Sequence, residues 1–455
     1  MERTCQDLEN CYSTYVVDRL RIKDRSAAGI VRALEHEIDH GRLRSGDLLP
    51  TVRRMADQLG VSPVTVAAAY RTLSARGLVT GAGRRGTRVT ARSQALLALP
   101  DPPMPEGVRN LAQGNPDPDL LPSIKAALGK VPSKAGLYGR QSCLPDLADL
   151  ATRSFAADGV DAKAIAVVGG ALDGIERVLA IHTRPGDRVA VEDPGFPNLL
   201  DLVTMAGLVP VPVTVDDRGP QPESLQRALA QQVAACIVTP RAQNPTGASI
   251  DAVRANELRT VLSGHPDVLL IEDDYIGAVA GVGYASLATS GTKHWCVARS
   301  MSKVLGPDLR VAILTGDLYT VRQLTIRQRI GTGWVSHILQ SLVAALLQDP
   351  RSAQLLDRAT RTYNSRRRDL LSTLASNGVT AHGVSGLNVW IPVAHEALVI
   401  RRLLDGGFAV VSGERFRLHT PPAVRITTAN LQPGEAERIA DLLATDTRAL
   451  RTLPA

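Results

Sequence analysis

The stretch SMSKVLGPDLR, residues 300–310, places a lysine among small hydroxyl side chains. Lys303 could be a surface charge, a clamp on a phosphate, or an amine that forms an imine with an aldehyde. Ser300, Ser302 and Arg310 are close to it in sequence and are of the types that hold a phosphate. Because these residues alone leave all three roles open, the role of the lysine depends on the motifs that precede it.

Three stretches upstream carry groups that a phosphate-bearing pyridine cofactor requires. Asp273, in IEDDYIG, ends a very apolar run, where a carboxylate needs a partner such as a protonated ring nitrogen. Asn244, in TPRAQNPTG, and Tyr275 could bond a ring hydroxyl, and Phe196, in VEDPGFPN, could lie on the ring. Asn-Pro turns and single phenylalanines are more often structural, so each signal is modest. Their consistent order before Lys303 predicts a cofactor that forms an imine with this lysine.

A Gly-Gly-Ala sequence in VVGGALDG lies at a predicted strand-to-helix junction. The backbone N–H groups of Gly170 and Ala171 at the start of a helix would suit a phosphate. A tight turn explains two adjacent glycines equally well, so this motif supports a cofactor site only together with the others.

Five apolar runs position these motifs and predict β-strands. They are AIAVV (164–168), RVAVE (188–192), AACIVT (234–239), VLLIE (268–272) and WCVA (295–298). Helical stretches separate several of them, which is typical of an α/β protein with a largely parallel sheet and helices on both faces. Such sheets bind ligands at the carboxyl ends of their strands, which is where the motifs fall.

The first fifth of the chain has a different pattern, which predicts a winged helix-turn-helix over residues 26–90. Residues 26–41 have the apolar spacing of a helix. Thr51 and Ser62 are suited to cap two further short helices, which a Gly-containing turn joins. In the segment after these helices, the residue pattern alternates as in β-strands and glycines mark the turn. This pattern is typical of a two-stranded wing.

The charge of this segment favours a nucleic-acid partner. The chain has a net charge of +7, and 11 basic against 5 acidic residues fall between residues 26 and 94. A localised basic surface attracts polyanions, although a solvated face can have the same composition. In double-stranded DNA, the start of the second helix would reach base edges while arginines hold phosphates or enter a minor groove. The predicted DNA-binding residues are Arg53, Arg54, Ser62, Val64, Thr65, Arg84, Arg85 and Arg88.

The rest of the composition argues against several other classes of protein. No apolar run is long enough to cross a membrane, and the polar start of the chain does not resemble a signal peptide, so we expect a cytoplasmic protein. The five cysteines form no CxxC pair and no Cys/His cluster, so neither disulfides nor a metal site is expected. We expect residues 1–25 to be a tail, residues 91–110 a proline-rich linker, and residues 111–455 the α/β part.

The motifs together resemble two families. GRLRSGDLLPTVRRMADQLGVS, TVAAAYRTL and GRRGTRV resemble the GntR-type winged helix-turn-helix. LYGRQSCLPDL, VVGGALDG, PGDRVAVEDPGFP, TPRAQNPTG, IEDDYIGA and SMSKVLGPDLR resemble the fold-type I aminotransferases that bind pyridoxal 5'-phosphate. Their fusion resembles the MocR class of bacterial transcription regulators. That resemblance implies a large domain with a mostly parallel sheet and a smaller α+β domain.

The resemblance also implies a role for each site residue. Lys303 would form the Schiff base, Asp273 would pair with the pyridine nitrogen, and Arg425, in AVRITTA, would grip the carboxylate of an effector. The other cofactor-binding residues would be Asn244 and Tyr275 at the ring hydroxyl, Phe196 on the ring, Gly170, Ala171, Ser300, Ser302 and Arg310 at the phosphate, and Tyr138 reaching over from a second subunit.

The function implied by the resemblance is that of a homodimeric, DNA-binding regulator. It would sense pyridoxal phosphate through an aldimine at Lys303, or an amino compound that exchanges with it. Two other hypotheses stay open: a working aminotransferase that carries a DNA-binding domain, and a winged helix on a scaffold that binds no cofactor.

Overall fold

The computed structural model describes residues 22, 24–39, 42–43, 46–75, 78–81, 86–89, 105–132, 137–139, 141–288 and 291–451. The chain divides into two compact units, an N-terminal unit made up mainly of the described residues before 102 and a C-terminal unit made up mainly of those after it. No helix in these ranges is both long enough and apolar enough to span a lipid bilayer. Within the same ranges, no group of three or more His, Cys, Asp or Glu side chains is arranged to hold a metal ion.

Capping residues define the helices of the N-terminal unit, which are α1 (Ala27–Asp39), α2 (Val52–Leu59) and α3 (Pro63–Ala75). The Thr51 side chain accepts a hydrogen bond from the Arg54 N–H at 3.3 Å, and Gly60 ends α2 in the left-handed conformation, with φ 64°. The Ser62 side chain accepts from the Thr65 N–H at 3.2 Å at the start of α3. The predicted helix-turn-helix is therefore confirmed.

A small antiparallel sheet completes this unit, with β1 (Leu48–Leu49), β2 (Val79–Gly81) and β3 (Thr87–Val89) in the order β1-β3-β2. The strands β2 and β3 pair with Val79 opposite Val89 and form the expected wing. The sequence did not predict β1, because two residues are too few to show a period of two. Ile30, Met55 and Leu73, one from each helix, are fully buried in the shared apolar core.

The C-terminal unit alternates helices and strands. Its helices are α4 (Ile124–Leu128), α5 (Pro145–Ala157), α6 (Ala171–His182), α7 (Pro197–Met205), α8 (Pro222–Leu229), α9 (Ala252–Ser263), α10 (Ser302–Leu305), α11 (Leu318–Ile330), α12 (His337–Gln348), α13 (Pro350–Ser376), α14 (Glu396–Asp405) and α15 (Glu435–Arg451). Its strands are β4 (Arg109–Asn110), β5 (Ile165–Val168), β6 (Arg188–Asp193), β7 (Val209–Asp216), β8 (Gly219–Pro220), β9 (Ala235–Val238), β10 (Leu269–Asp274), β11 (Trp295–Ser300), β12 (Ala312–Gly316), β13 (Asn388–Pro392), β14 (Phe408–Ala409), β15 (Val411–Ser412) and β16 (Ala423–Thr427).

The large sheet has the strand order β5-β12-β11-β10-β9-β6-β7-β8. The strand β10 pairs in parallel with both β9 and β11, and β6 pairs in parallel with β9. The strand β12 is antiparallel to its neighbours β11 and β5. All residues of β9 and β10 are buried, as expected for central strands covered by helices on both faces. The five strands predicted from apolar runs are all present, and the α/β class with a mostly parallel sheet is confirmed.

A smaller α+β domain follows, built on the antiparallel sheet β13-β16-β15 and the helices α14 and α15. Its core includes the fully buried side chains of Val389, Val424, Ile426 and Ile439. The strand β4 consists of the last two residues of the predicted linker and pairs in parallel with β14. The two residues at the end of the linker are therefore part of this smaller domain.

Candidate functional site

Parallel pairing brings the predicted cofactor residues to the carboxyl edge of the large sheet. Gly170 follows β5, Phe196 follows β6 and Asn244 follows β9. Asp273 is near the end of β10 and Tyr275 follows that strand, while Ser300 ends β11 and Lys303 lies in α10 directly after it. Because β10 lies between β9 and β11, its register places Asp273 beside Ala298 and Glu272 beside Val238. Residues far apart in sequence thus come to one edge of the sheet.

Asp273 is a buried carboxyl group with an unused acceptor. It is 4% exposed, and its Oδ1 atom has no hydrogen-bond partner among the residues described. Burial, together with the nearby carboxylates of Asp274 and Glu192, raises its pKa to about 7. A buried acceptor without a donor is costly unless a ligand supplies that donor. A protonated pyridine nitrogen would do so, and the chemistry of this residue therefore fits the expected cofactor.

At the start of α6, the backbone of Gly170 lies close to the guanidinium group of Arg310. Gly170 has φ 131°, and a Cβ atom placed on it would lie 2.6 Å from the Nη2 atom of Arg310. Glycine alone combines this backbone conformation with so near a neighbour. Ser300 lies beside Ala312 of β12, whose other partner, Val168, ends the strand before Gly170. The helix start, the guanidinium and the serine hydroxyl are therefore neighbours, which suits a phosphate.

Lys303 is half-buried at the start of α10, which argues against a role as a surface charge. Its Nζ atom donates to the carbonyl oxygen of Gly114 at 2.5 Å. Burial, and then the positive charge of Arg425, lower its pKa to about 8. A lowered pKa increases the fraction of neutral amine, which is the nucleophilic form.

Arg425, on β16, is a buried cation without a carboxylate partner among the described side chains. Its Nη1 atom donates to the Asn244 side-chain oxygen at 3.0 Å, its Nη2 atom donates to the Ala112 carbonyl, and its Nε atom has no partner in the described part of the chain. The Phe416 ring lies 4.9 Å from its guanidinium carbon. Because a buried charge is stabilised by an opposite charge, this arginine is ready for an anionic group of a ligand.

Asn244 and Tyr275, the two residues predicted at a ring hydroxyl, have different local partners. The Asn244 side-chain oxygen accepts from Arg425 and, at 3.4 Å, from Asn388, which leaves its amide NH2 as the group that can donate to a ligand. The Tyr275 hydroxyl donates to the Ala242 carbonyl at 2.5 Å. Tyr275 would therefore have to turn its proton away from Ala242 in order to donate to a ring oxygen.

The remaining predicted cofactor residues lie in three different settings. Phe196 is half-buried directly before α7, and Ser302, also half-buried, donates its N–H to the Ser300 hydroxyl at 3.2 Å. Ala171, the first residue of α6, is buried. Tyr138 is 91% exposed and lies edge-on to the Trp334 ring at 5.6 Å. Because Tyr138 is expected to act in a second subunit, its role stays a prediction.

Glu192 is a buried acid that the sequence analysis did not single out as a site residue. Its carboxylate accepts from the Thr239 N–H at 2.9 Å and from the Gln243 side chain at 3.2 Å. Burial raises its pKa to about 7. Its charge also contributes to the raised pKa of Asp273. The signal that could have identified it is the one used for Asp273, namely an acid at the end of an apolar strand.

The predicted DNA-binding residues are partly on the surface of the N-terminal unit. Val64, the second residue of α3, is 72% exposed, and Ser62 and Arg53 are exposed, whereas Thr65 and Arg54 are half-buried. Arg88 is exposed, and its guanidinium donates to the Gly46 carbonyl at 2.7 Å. Arg84 and Arg85, which the sequence predicts at the tip of the wing, lie outside the described residues. An exposed apolar side chain at the start of the second helix suits contact with a thymine methyl group.

Comparisons with known families match both parts of the chain. Residues 26–89 match the model for bacterial regulatory proteins of the gntR family, and residues 106–443 match the model for aminotransferase class I and II. The vitamin B6 salvage pathway transcriptional repressor PtsJ of Salmonella typhimurium is 38% identical over 422 residues, which are 92% of this chain and 98% of that protein. The HTH-type pyridoxine biosynthesis transcriptional regulator PdxR of Corynebacterium glutamicum is 28% identical over 352 residues, or 74% of this chain and 76% of that one.

Solved structures show the fold of the C-terminal unit. The kynurenine aminotransferase of Pyrococcus horikoshii has a TM-score of 0.68 at 21% identity and covers 77% of this chain and 93% of its own. An archaeal alanine:glyoxylate aminotransferase has a TM-score of 0.66 at 20% identity, covering 76% and 91%. At these identities the similarity extends to the aminotransferase fold alone.

Proposed function

This chain belongs to the MocR class, the GntR-family transcriptional regulators that carry a class I and II aminotransferase domain, and from that premise we propose that it binds pyridoxal phosphate at Lys303 and reports the occupancy of this site to DNA. The observation that carries the proposal is the buried Oδ1 atom of Asp273, which has no donor among the residues that the structure describes. The relatives named for vitamin B6 salvage and pyridoxine biosynthesis support a response to a B6 compound.

Each group of the site has a task in this proposal. Pyridoxal phosphate supplies an aldehyde that condenses with an amine and releases water. The Lys303 amine provides the attachment point, Asp273 accepts from the ring nitrogen, and Asn244 donates to the ring oxygen. Gly170 N–H, Ala171 N–H, Ser300, Ser302 and Arg310 hold the phosphate, with Phe196 against the ring and Tyr138 supplied by the second subunit of a homodimer. If the protein senses an effector in addition to the cofactor, that effector would be an amino compound whose carboxylate binds Arg425 bidentately.

A spectroscopic titration combined with DNA footprinting tests this function. Purified protein titrated with pyridoxal phosphate should gain a visible absorbance band, and borohydride reduction should leave a tagged peptide that contains Lys303. Footprinting on the DNA upstream of the protein's own gene should change when the cofactor is added. A colourless protein would contradict the proposal and favour the cofactor-free scaffold. Pyridoxamine phosphate produced from the bound cofactor after amino acids are added would show a working aminotransferase.

Gly170→Ala should weaken the binding of pyridoxal phosphate by about 10- to 100-fold, because the new methyl group displaces Arg310 and strains a backbone with φ 131°. Absorbance titration measures the effect. Gly159→Ala is the matched control, since Gly159 also has a positive φ, of 74°, but no atom lies within 4 Å of its added methyl group. Equal cofactor affinity of both variants would contradict the phosphate role of Gly170.

Val64→Glu should weaken binding to operator DNA by about 10- to 100-fold, because it removes an apolar contact with a base and places a negative charge near phosphates. A glutamate in the first turn of a helix is compatible with the helix itself. Val253→Glu is the control, since Val253 is likewise the second residue of a helix and is 61% exposed. Electrophoretic mobility shifts measure both variants, and unchanged affinity of Val64→Glu would exclude α3 from the DNA interface.

A further inference from the structure

Residues 109–114 connect the smaller domain to the proposed cofactor site. At one end, the Arg109 N–H donates to the Gly407 carbonyl at 2.8 Å, and the Arg109 guanidinium donates to the Glu435 carboxylate at 2.8 Å and to the Asn430 carbonyl at 2.5 Å. Arg109 is also paired through β4 with β14. The chain that emerges from the linker is therefore attached to the smaller domain before it reaches the site.

The other end of this segment bonds to two residues of the proposed cofactor and effector site. The Gly114 carbonyl accepts from the Lys303 Nζ atom at 2.5 Å, and the Ala112 carbonyl accepts from the Arg425 Nη2 atom. The Asn110 side chain accepts from the Ala112 N–H at 3.1 Å and holds this turn. One backbone carbonyl thus holds the amine to which the cofactor would bond, and the other occupies a donor that an effector carboxylate would need.

We propose that residues 109–114 transmit the state of the cofactor site to the linker, because their carbonyl groups compete with the cofactor for Lys303 and with an effector carboxylate for Arg425. This inference rests on the proposed function and adds its route of regulation. Lys303 follows β11 of the large sheet, whereas Arg109 is bonded to the smaller domain. The hydrogen bond between Lys303 and Gly114 therefore connects the domain of the large sheet to the smaller domain through residues 109–114.

A cofactor on Lys303 and a carboxylate on Arg425 would break the hydrogen bonds that these residues donate to the Gly114 and Ala112 carbonyls. If the Lys303 amine condensed with an aldehyde, a carbon–nitrogen double bond would form, both amine hydrogens would leave with the carbonyl oxygen as water, and the nitrogen would carry one hydrogen only when the imine is protonated. The donor to the Gly114 carbonyl is then lost or diverted. A carboxylate at Arg425 is a charged acceptor and displaces the neutral Ala112 carbonyl. Losing one hydrogen bond to a charged group shifts an equilibrium by about 10- to 100-fold, which can change a tenfold preference for one domain position into, at most, about a tenfold preference for the other.

Hydrogen exchange on the full-length protein tests the route directly. Adding pyridoxal phosphate should speed amide exchange in residues 110–114 by about tenfold or more, while the amides of β10 keep their rates. Lys303→Ala without cofactor should show the same faster exchange, because it also lacks the donor to Gly114. Unchanged exchange in wild-type protein that has gained the visible band would overturn the inference and leave cofactor binding intact.

Arg109→Ala tests whether the segment must be attached to the smaller domain. This variant should bind pyridoxal phosphate as the wild type does, yet its affinity for the upstream DNA fragment should no longer change when the cofactor is added. Arg218→Ala is the matched control, since Arg218 forms a comparable pair with Asp251 at 2.8 Å on another surface. If the DNA affinity of Arg109→Ala still changed with the cofactor as it does in the wild type, the proposed transmission through residues 109–114 would be overturned. A wild type without a visible band would instead refute the proposed function, so the two failures are distinguishable.

Discussion

Lys303→Ala should produce a protein that gains no visible absorbance band with pyridoxal phosphate and whose DNA affinity no longer responds to the cofactor. The variant lacks the amine that we propose forms the covalent link, so the remaining contacts hold the cofactor at least about 100-fold more weakly. Binding of DNA itself should persist, because the predicted DNA-binding residues belong to the N-terminal unit. Absorbance titration and mobility shifts, with and without cofactor, measure the two effects.

Lys293→Ala is the control for this variant. Lys293 is an exposed lysine paired with Asp267 at 2.5 Å, and its loss should leave the spectrum and the DNA response unchanged. A wild-type spectrum in Lys303→Ala would show that another amine binds the aldehyde and would refute the central role of Lys303.

Asp273→Asn should make the cofactor-free protein more stable while weakening its binding of pyridoxal phosphate. Burial raises the pKa of Asp273 from its ordinary value of 3.8 to about 7. Since the unfolded chain ionises first, wild-type stability falls as the pH rises from about 4 to about 7, by up to about 4 kcal/mol. Asparagine removes this penalty, so the stability difference between variant and wild type should vanish below pH 4 and level off above pH 7. Thermal unfolding at several pH values measures it.

The cofactor affinity of Asp273→Asn should fall by at least about 100-fold, because a buried pyridinium would lose its countercharge. Asp274→Asn is a contrasting control at the next position. Two arginines, Arg241 at 2.8 Å and Arg299 at 2.6 Å, bind the Asp274 carboxylate, and they hold its pKa below the usual range despite burial. That substitution should destabilise the cofactor-free protein. If Asp273→Asn also destabilised it, Asp273 would have a structural partner rather than an unused acceptor.

The strands of the large sheet were predictable because they are short apolar runs that carry their own signal. The position of the motifs predicted to bind a cofactor could be anticipated because the carboxyl ends of parallel strands meet at one edge of a sheet. By contrast, β1 and β4 have two residues each, and a pair of residues has no period that a sequence can reveal. Their existence depends on partners, β3 and β14, that lie far away along the chain.

The same distinction applies to the site, where some side chains could be identified from the sequence and the backbone contacts could not. Residue type and the order of the motifs pointed to Lys303 and Asp273, and the family resemblance pointed to Arg425, since an amine, an acid and a planar guanidinium each suit one chemical task. It gave no indication that the Ala112 and Gly114 carbonyls would bond to two of them. Backbone carbonyls are the same in every residue, so their role cannot be identified by residue type.

The sequence by itself determined the two-part organisation, the family and the chemical groups available for a cofactor, because residue types and local periodicity encode these properties. Only the tertiary structure decided which groups lack a partner and which are already bonded. Burial and hydrogen-bond geometry depend on segments far apart in sequence. The unused oxygen of Asp273, the lowered pKa of Lys303 and the attachment of residues 109–114 to both domains all arise in that way.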